Sequence, residues 1–252
     1  MKKNNNAIRM GRLLVIAILC LKAELLTSCN KSYDPAPTPK STQPPVTESV
    51  PTTKVIIQDG YTLNFKNNDP AFNVITRESM IKVFYTVYPK LAKRFNANAV
   101  REVTFFIDTS YQGAAFASGN TVTYSAAWMR DHPADTDIVT HEVMHLVQAY
   151  PGGAGPGWLT EGIADYARYK FGVNNAAGGW SLPEFSLSQS YTNSYRVTAR
   201  FLAWLEHHAK STIVDELDIA MRSKTYTADT WSQLTGKTID ELWQSYSQNP
   251  AL

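Results

Sequence analysis

The chain has 252 residues, of which 44% are hydrophobic and 12% aromatic, so it can bury one substantial core or at most two small ones. Its formal net charge is +2, but the first 28 residues hold five basic groups and one acidic group, and without them 19 basic residues face 21 acidic ones. Nucleic acids and anionic surfaces are therefore not expected as partners.

The first 28 residues are typical of an export signal. A basic segment, residues 1–12, precedes an apolar run at 13–21 that is too short to span a bilayer as a permanent helix. The following Leu-Thr-Ser-Cys sequence resembles the lipobox of bacterial lipoproteins, which predicts cleavage before Cys29 and its lipidation. Because Lys22 and Glu24 interrupt the apolar region, ordinary cleavage that frees a secreted protein is the alternative. We expect a protein of the bacterial cell envelope, lipid-anchored on the outer side of a membrane, or a secreted one.

Residues 29–54 are rich in Pro, Thr and Ser and offer almost nothing apolar to bury, which predicts a flexible tether. The folded domain is expected at residues 55–252. Both cysteines, Cys20 and Cys29, precede this domain. Any metal ion in it must therefore be held by histidine and carboxylate side chains rather than by thiolates.

The first half of the domain predicts an α+β fold. Period-two patterns and turn residues indicate strands at 55–57 and 61–65 around an Asp-Gly turn, and two more at 102–108 and 121–125. Alternation in the last of these strands suggests one solvent-exposed face. Residues 75–95 have helical spacing that Pro89 interrupts.

A His-Glu-x-x-His motif lies in the next predicted helix, for which Asp135 or Thr136 is a suitable N-cap. His141 and His145 are four residues apart, so they share one helix face and can present two imidazole nitrogens to one metal ion. Glu142 lies beside them, where a carboxylate can act as a general base on water at the metal. Taken alone, the two histidines could also form a partly buried polar patch.

A run of glycine and proline, residues 151–157, ends this helix and predicts an antiparallel hairpin with a second helix at 158–169. At about 1.5 Å rise per residue, His145 and Glu161 both lie roughly 5 to 8 Å from the turn, so Glu161 can be the third metal ligand. Asp165 follows one turn later and can orient His141 through its second ring nitrogen. Alone, either carboxylate could be an ordinary helix-surface residue, and Asp165 is the alternative ligand to Glu161.

The C-terminal part is predicted to be mostly helical. Residues 172–190 resemble a plain surface loop rather than a substrate lid, and helices are expected from Tyr195 to the pair at 207–208, at 213–221 and at 239–246. A capping box of Thr238 and Glu241 starts the last helix. Tyr195 is a candidate donor to the reaction oxyanion, with Tyr191 as its rival. His132, His207 and His208 are expected to lie away from the metal.

Four blocks, at residues 141–150, 156–166, 195–202 and 234–243, resemble the plant basic secretory protein family and its bacterial relatives, which are secreted zinc peptidases. Glu-x-x-x-Asp after His-Glu-x-x-His is similar to the gluzincin arrangement, whereas Gln148 and Pro151 stand where a metzincin needs glycine and a third histidine. The resemblance implies a gluzincin-like zincin domain with a small mixed sheet. In that fold the edge strand lies above the active-site helix and lines the substrate cleft, and residues 121–125 are the expected edge strand.

The predicted function is that of a monomeric zinc metallopeptidase acting on peptide or protein substrates. His141, His145 and Glu161 would bind Zn²⁺ with water in the fourth position, and Glu142 would be the general base. One alternative is a cell-wall amidase or peptidase that uses the same metal site on peptidoglycan. Another is a non-catalytic surface binding module with a structural zinc. A structural site would need a fourth protein ligand, and the sequence offers no well-placed one, which favours the catalytic interpretation.

Overall fold

The computed structural model describes residues 52–252, all within one compact unit, while the predicted signal segment, Cys29 and most of the predicted tether lie outside the described residues. Five strands form one sheet: β1 Thr52–Gln58, β2 Tyr61–Asn67, β3 Glu102–Asp108, β4 Ala115–Ser118 and β5 Thr121–Ser125. The first strand begins three residues earlier than predicted, because residues 52–54 continue the pairing with β2. The predicted α+β class is confirmed.

The sheet is mixed, with strand order β1-β2-β3-β5-β4. The two outer pairs, β1 with β2 and β4 with β5, are antiparallel, whereas β2, β3 and β5 run parallel. Asp59 and Gly60 join the first pair with φ values of 50° and 77°, as a two-residue hairpin turn requires. This turn was predicted from its Asp-Gly sequence.

The prediction that residues 121–125 form the edge strand is wrong. This segment, β5, pairs with β3 on one side and β4 on the other, so the four-residue strand β4 is the edge. The predicted solvent-exposed face is also absent, since residues 122–125 are all buried. Alternation of polar and apolar residues misled the prediction, because Thr123 and Ser125 are buried in spite of their hydroxyls.

Eight helices follow or interrupt the strands within residues 52–252: α1 Val74–Phe95, α2 Ala126–Asp131, α3 Ile138–Gln148, α4 Gly157–Phe171, α5 Tyr195–His208, α6 Ile213–Arg222, α7 Thr230–Thr235 and α8 Ile239–Gln248. In α1 the chain stays helical through Pro89, so the predicted interruption is wrong. Burial of its apolar face explains this continuity, as when Phe84 meets Phe105 of β3 edge to face at 5.5 Å. None of the described helices combines the length and apolar character that a membrane span requires.

Residues 172–190 form a loop, as predicted, and it is fastened to the helical hairpin of α3 and α4. The Trp180 ring is buried with the Arg168 guanidinium 4.7 Å above it, and Arg168 also pairs with Asp135 ahead of α3. Asp137 is the N-cap residue of α3, in place of the predicted Asp135 or Thr136, and its carboxylate accepts from the backbone of Asn174. The loop and both helices therefore meet in one polar cluster.

Candidate metal centre

The motif helix α3 and the following helix α4 pack against each other as an antiparallel hairpin. Its turn begins at Ala149, which adopts the left-handed conformation with φ 44° and ends α3. Asn96, at the end of α1, donates its side-chain amide to the carbonyl of Val147 at 2.8 Å. The end of α3 is thus held by its left-handed C-cap residue and by a side chain from the end of α1.

Three side chains converge between the two helices. The Nε2 atom of His141 lies 3.2 Å from Glu161 Oε2 and 3.2 Å from His145 Nε2, and His145 Nε2 lies 3.5 Å from the same Glu161 oxygen. Across the part of the chain that the structure describes, this is the one group of three or more His, Cys, Asp or Glu side chains compact enough to hold a metal ion. It unites the three residues predicted as metal ligands.

The Nδ1 atom of each histidine, which points away from the ligand group, forms a hydrogen bond with a neighbouring side chain. His141 Nδ1 lies 2.7 Å from Asp165 Oδ1, and His145 Nδ1 lies 2.7 Å from Gln148 Oε1. Both partners are acceptors, so both Nδ1 atoms carry the proton and the two Nε2 lone pairs face one another and Glu161. Two nitrogens and a carboxylate oxygen at such distances can be held together by a shared proton or by a metal ion, and this set of donors suits Zn²⁺.

The charges around the group agree with this requirement. Burial alone would lower the pKa of His141, but Asp165 and Glu161 together raise it well above its ordinary value. Burial raises the pKa of Glu161, yet its contacts with the two histidines outweigh this and lower the pKa overall. The pocket thus favours positive charge, whether supplied by a proton or by a metal ion.

Glu142 lies beside the group without belonging to it. Its side chain is buried, and this burial raises the pKa of its carboxyl, although His141 and His145 oppose the effect. Two tyrosines that were not predicted as site residues, Tyr111 and Tyr124, lie within electrostatic range of this carboxylate. Tyr111 follows β3 and Tyr124 belongs to β5.

The two tyrosines that are candidates for the oxyanion donor lie in different surroundings. The Tyr195 ring lies over His141, with 6.1 Å between centroids and 21° between planes, and remains 46% exposed. The hydroxyl of Tyr191 instead donates to Asp240 at 2.8 Å, at the start of α8. Of the two, Tyr195 is therefore the one that the fold brings to the metal group.

Two of the three remaining histidines have other partners, and none belongs to the ligand group. The ring of His132 stacks on Trp128 at 4.0 Å, while His208 stacks on Trp204 at 4.8 Å. Neither belongs to the compact ligand group, nor does His207. Gln148 was missed as a site residue, although its position three residues after His145 on one helix was a usable signal.

The chain belongs to a family described as peptidases of plants and bacteria. The model of this family matches residues 59–246, well over half of the chain. The resemblance to the plant basic secretory proteins and their bacterial relatives is thereby confirmed, and the chain is a member of a peptidase family. No curated protein matched the sequence.

The solved structures that the chain matches include two bacterial proteins. An aminopeptidase N family protein from Idiomarina loihiensis matches 77% of this chain and 46% of its own length at 12% identity, with a TM-score of 0.47. An M1 zinc metallopeptidase from Deinococcus radiodurans matches 77% of this chain and 50% of its own length at 14% identity, with a TM-score of 0.41. The chain thus spans about half the length of either protein.

Proposed function

We propose that the chain is a zinc metallopeptidase of the gluzincin type that hydrolyses peptide bonds in peptide or protein substrates and acts as a monomer. The observation that carries this proposal is the convergence of His141, His145 and Glu161, with a proton acceptor behind each imidazole. Membership of a peptidase family supports the reaction type. Two neutral nitrogens and one carboxylate oxygen form a ligand set that leaves a fourth zinc position open.

His141, His145 and Glu161 would hold the zinc ion, and Asp165 would keep His141 oriented from behind. When bound, zinc supplies Lewis acidity and makes water a better nucleophile at neutral pH. Glu142 would accept the proton of the attacking water and deliver it to the leaving amine. Its buried position supports this role, because a carboxylate with little solvation is a stronger base than one in water.

Tyr195 would donate its phenolic hydrogen to the oxyanion that forms from the peptide carbonyl. Burial and nearby carboxylates raise the pKa of Tyr195 to about 12, so the hydroxyl stays protonated at neutral pH and remains a donor. The edge strand β4 packs against the motif helix α3 and has a partner strand on one side alone, so an extended peptide could pair with its other edge.

Metal analysis combined with digestion of a broad peptide library tests this proposal on the full chain. The Glu142→Gln variant should retain zinc while its activity falls at least about 100-fold, as expected for loss of a general base. Glu161→Ala should lose zinc and activity together. Glu184→Gln, where the side chain is 94% exposed and lies outside the ligand group, is the matched control and should behave as the parent chain.

A fully active Glu142→Gln variant would refute the assignment of the base, and full zinc occupancy in Glu161→Ala would point to Asp165 or another ligand. Digestion of muropeptides in parallel separates protein substrates from peptidoglycan. Hydrolysis of muropeptides alone would favour a cell-wall amidase, and zinc binding with no hydrolysis of either substrate would favour a binding module.

We further propose that the peptidase is exported and anchored through a lipid on Cys29, on the outer side of a bacterial membrane. The support is the basic and apolar start of the sequence and its lipobox-like end at this cysteine. Replacing Cys29 by serine should move the protein from the membrane fraction to the soluble fraction. Unchanged membrane partition of Cys29→Ser would contradict the lipid anchor.

A further inference from the structure

Gln148 is the last residue of α3, and its side chain is only 2% exposed although it is polar. Its Oε1 atom lies 2.7 Å from His145 Nδ1, and its Nε2 atom donates to the backbone carbonyl of Thr160 at 2.9 Å. We infer that Gln148 is a positioning residue for the metal centre, holding His145 in the tautomer and orientation that zinc requires. This inference rests on the zinc site proposed above.

The two hydrogen bonds of Gln148 determine which way its amide group faces and which ring nitrogen of His145 carries the proton. The carbonyl of Thr160 can only accept, so the amide NH₂ group must face it, and the amide oxygen must face the imidazole. That oxygen can also only accept, so the proton of His145 resides on Nδ1. The lone pair of His145 Nε2 is then directed toward His141 and Glu161.

The same amide also connects the two helices of the hairpin next to the ligands. Thr160 immediately precedes Glu161, so Gln148 links the ring of one proposed ligand to the backbone beside another. A shift of α4 along α3 would break this link. Gln148 therefore fixes the separation of His145 and Glu161 as well as the ring orientation.

Gln148 and Asp165 each accept a hydrogen bond from one of the two histidines, but they differ in charge. Asp165 is an anionic acceptor behind His141, whereas Gln148 is a neutral acceptor behind His145. The pocket already contains the carboxyl groups of Glu142, Glu161 and Asp165. A neutral amide orients the second ring without adding a fourth carboxylate. Further negative charge beside the proposed zinc ion would make it harder for water there to lose a proton.

Zinc affinity of three variants tests this role, measured on the full chain by competition with a chromophoric chelator. Gln148→Met has a similar volume but neither hydrogen bond, and we expect its zinc affinity to fall roughly 10- to 100-fold. Gln148→Glu keeps the acceptor and loses the donor, so it should recover most of that loss. Gln244→Met, on the exposed face of α8, is the matched control and should bind zinc as the parent chain does.

Unchanged zinc affinity in Gln148→Met would overturn the inference while leaving the zinc site intact. Equal losses in Gln148→Glu and Gln148→Met would overturn the inference that Gln148 orients the His145 ring, because the bond to Thr160 would then account for the whole effect. A parent chain that binds no zinc would overturn the proposed function together with this inference. The outcomes therefore distinguish the two proposals.

A measurement on the unmodified chain protects the test against a variant that fails to fold. Long-range ¹H–¹⁵N spectra of the zinc-loaded chain report which ring nitrogen of each histidine carries the proton. We expect His145 to be protonated on Nδ1 and to bind through Nε2. Binding through Nδ1 would overturn the role of Gln148 whatever the variants do.

Discussion

Tyr195 has a strained backbone beside the proposed metal ligands. It and Ser194 have φ values of 47° and 69°, in the left-handed region that residues with a side chain seldom adopt. Each such residue costs on the order of 1 to 3 kcal/mol, which the surrounding contacts must offset. Here a capping box of Ser190 and Asn193 and a 2.6 Å hydrogen bond from Thr198 to the Tyr191 carbonyl hold the turn. The result is a phenol ring stacked over His141.

Replacing Tyr195 by phenylalanine should leave zinc content unchanged and lower kcat by about 10²- to 10³-fold, because one donor to the oxyanion is lost. The value of KM should change little, since the ring itself remains. Tyr191→Phe is the control, because that hydroxyl is committed to Asp240 and should not affect kcat. Steady-state kinetics of both variants test this prediction. A larger fall of kcat in Tyr191→Phe than in Tyr195→Phe would make Tyr191 the oxyanion donor.

Prediction from sequence was strongest for residues whose partners lie at a fixed helical spacing. His141, Glu142 and His145 belong to one motif, and Glu161 and Asp165 follow from the short hairpin. The spacing of Gln148 from His145 indicates that the two can meet, but it does not show which way the amide faces, because the Thr160 carbonyl across the hairpin decides that. The distinction between Tyr195 and Tyr191 likewise required the position of Asp240 on a distant helix.

Among the elements, α4 and α5 pack at a point where only glycine fits. A methyl group on Gly162 of α4 would lie 2.3 Å from Thr198 Cγ2 of α5. This contact sets the distance between the helix that carries Glu161 and the helix that begins with Tyr195. The close approach therefore positions a proposed ligand and a proposed oxyanion donor relative to each other.

Gly162→Ala should destabilise the fold by about 1 to 3 kcal/mol through overpacking and should also lower activity, because α5 must move away from α4. Gly157→Ala on the same helix has open space around the added methyl group and should change stability by less than about 1 kcal/mol. Urea unfolding and peptide hydrolysis measure the two effects. Parent-like stability and activity of Gly162→Ala would show that this packing tolerates adjustment.

The sequence predicts long elements better than short ones. Strand β3 and helices α3, α4, α5, α6 and α8 were anticipated to within a few residues, because repeated apolar positions mark them. The four-residue strand β4 and the six-residue helices α2 and α7 are too short for such a pattern, so tertiary packing decides their structure. Missing β4 is the reason why β5 was taken for the edge.

At the scale of the whole folded domain, a polar network joins the four helices α1, α4, α5 and α6. Arg94 of α1 contacts Asp215 of α6 at 2.8 Å, and it also bonds Glu206 of α5 and the hydroxyl of Tyr166 of α4. Lys170 adds a second cation to Glu206 at 2.8 Å. Burial alone would raise the pKa of Glu206, but these partners lower it below its ordinary value.

A lowered pKa means that ionised Glu206 stabilises the fold above the ordinary glutamate pKa, near 4.3, and loses this effect as the pH falls through its folded value. Glu206→Gln should therefore lower the free energy of unfolding by about 1 kcal/mol at pH 7. The gap to the parent chain should close as the pH falls below about 4. Denaturant unfolding at several pH values across this range measures the stability difference. Glu184→Gln, at an exposed position, is the control. A difference that does not change with pH would contradict an ionic origin.

The hairpin that carries the ligands is fastened at both ends, by the caps at its turn and by the pairing of Arg168 with Asp135 at its base. The ligand positions therefore do not depend on a metal ion to assemble them. Loading with zinc should release little heat from refolding, and its rate should be set by ion diffusion and loss of hydration water rather than by a slow conformational step. The proposed zinc ion should therefore be removable and replaceable while the domain stays folded.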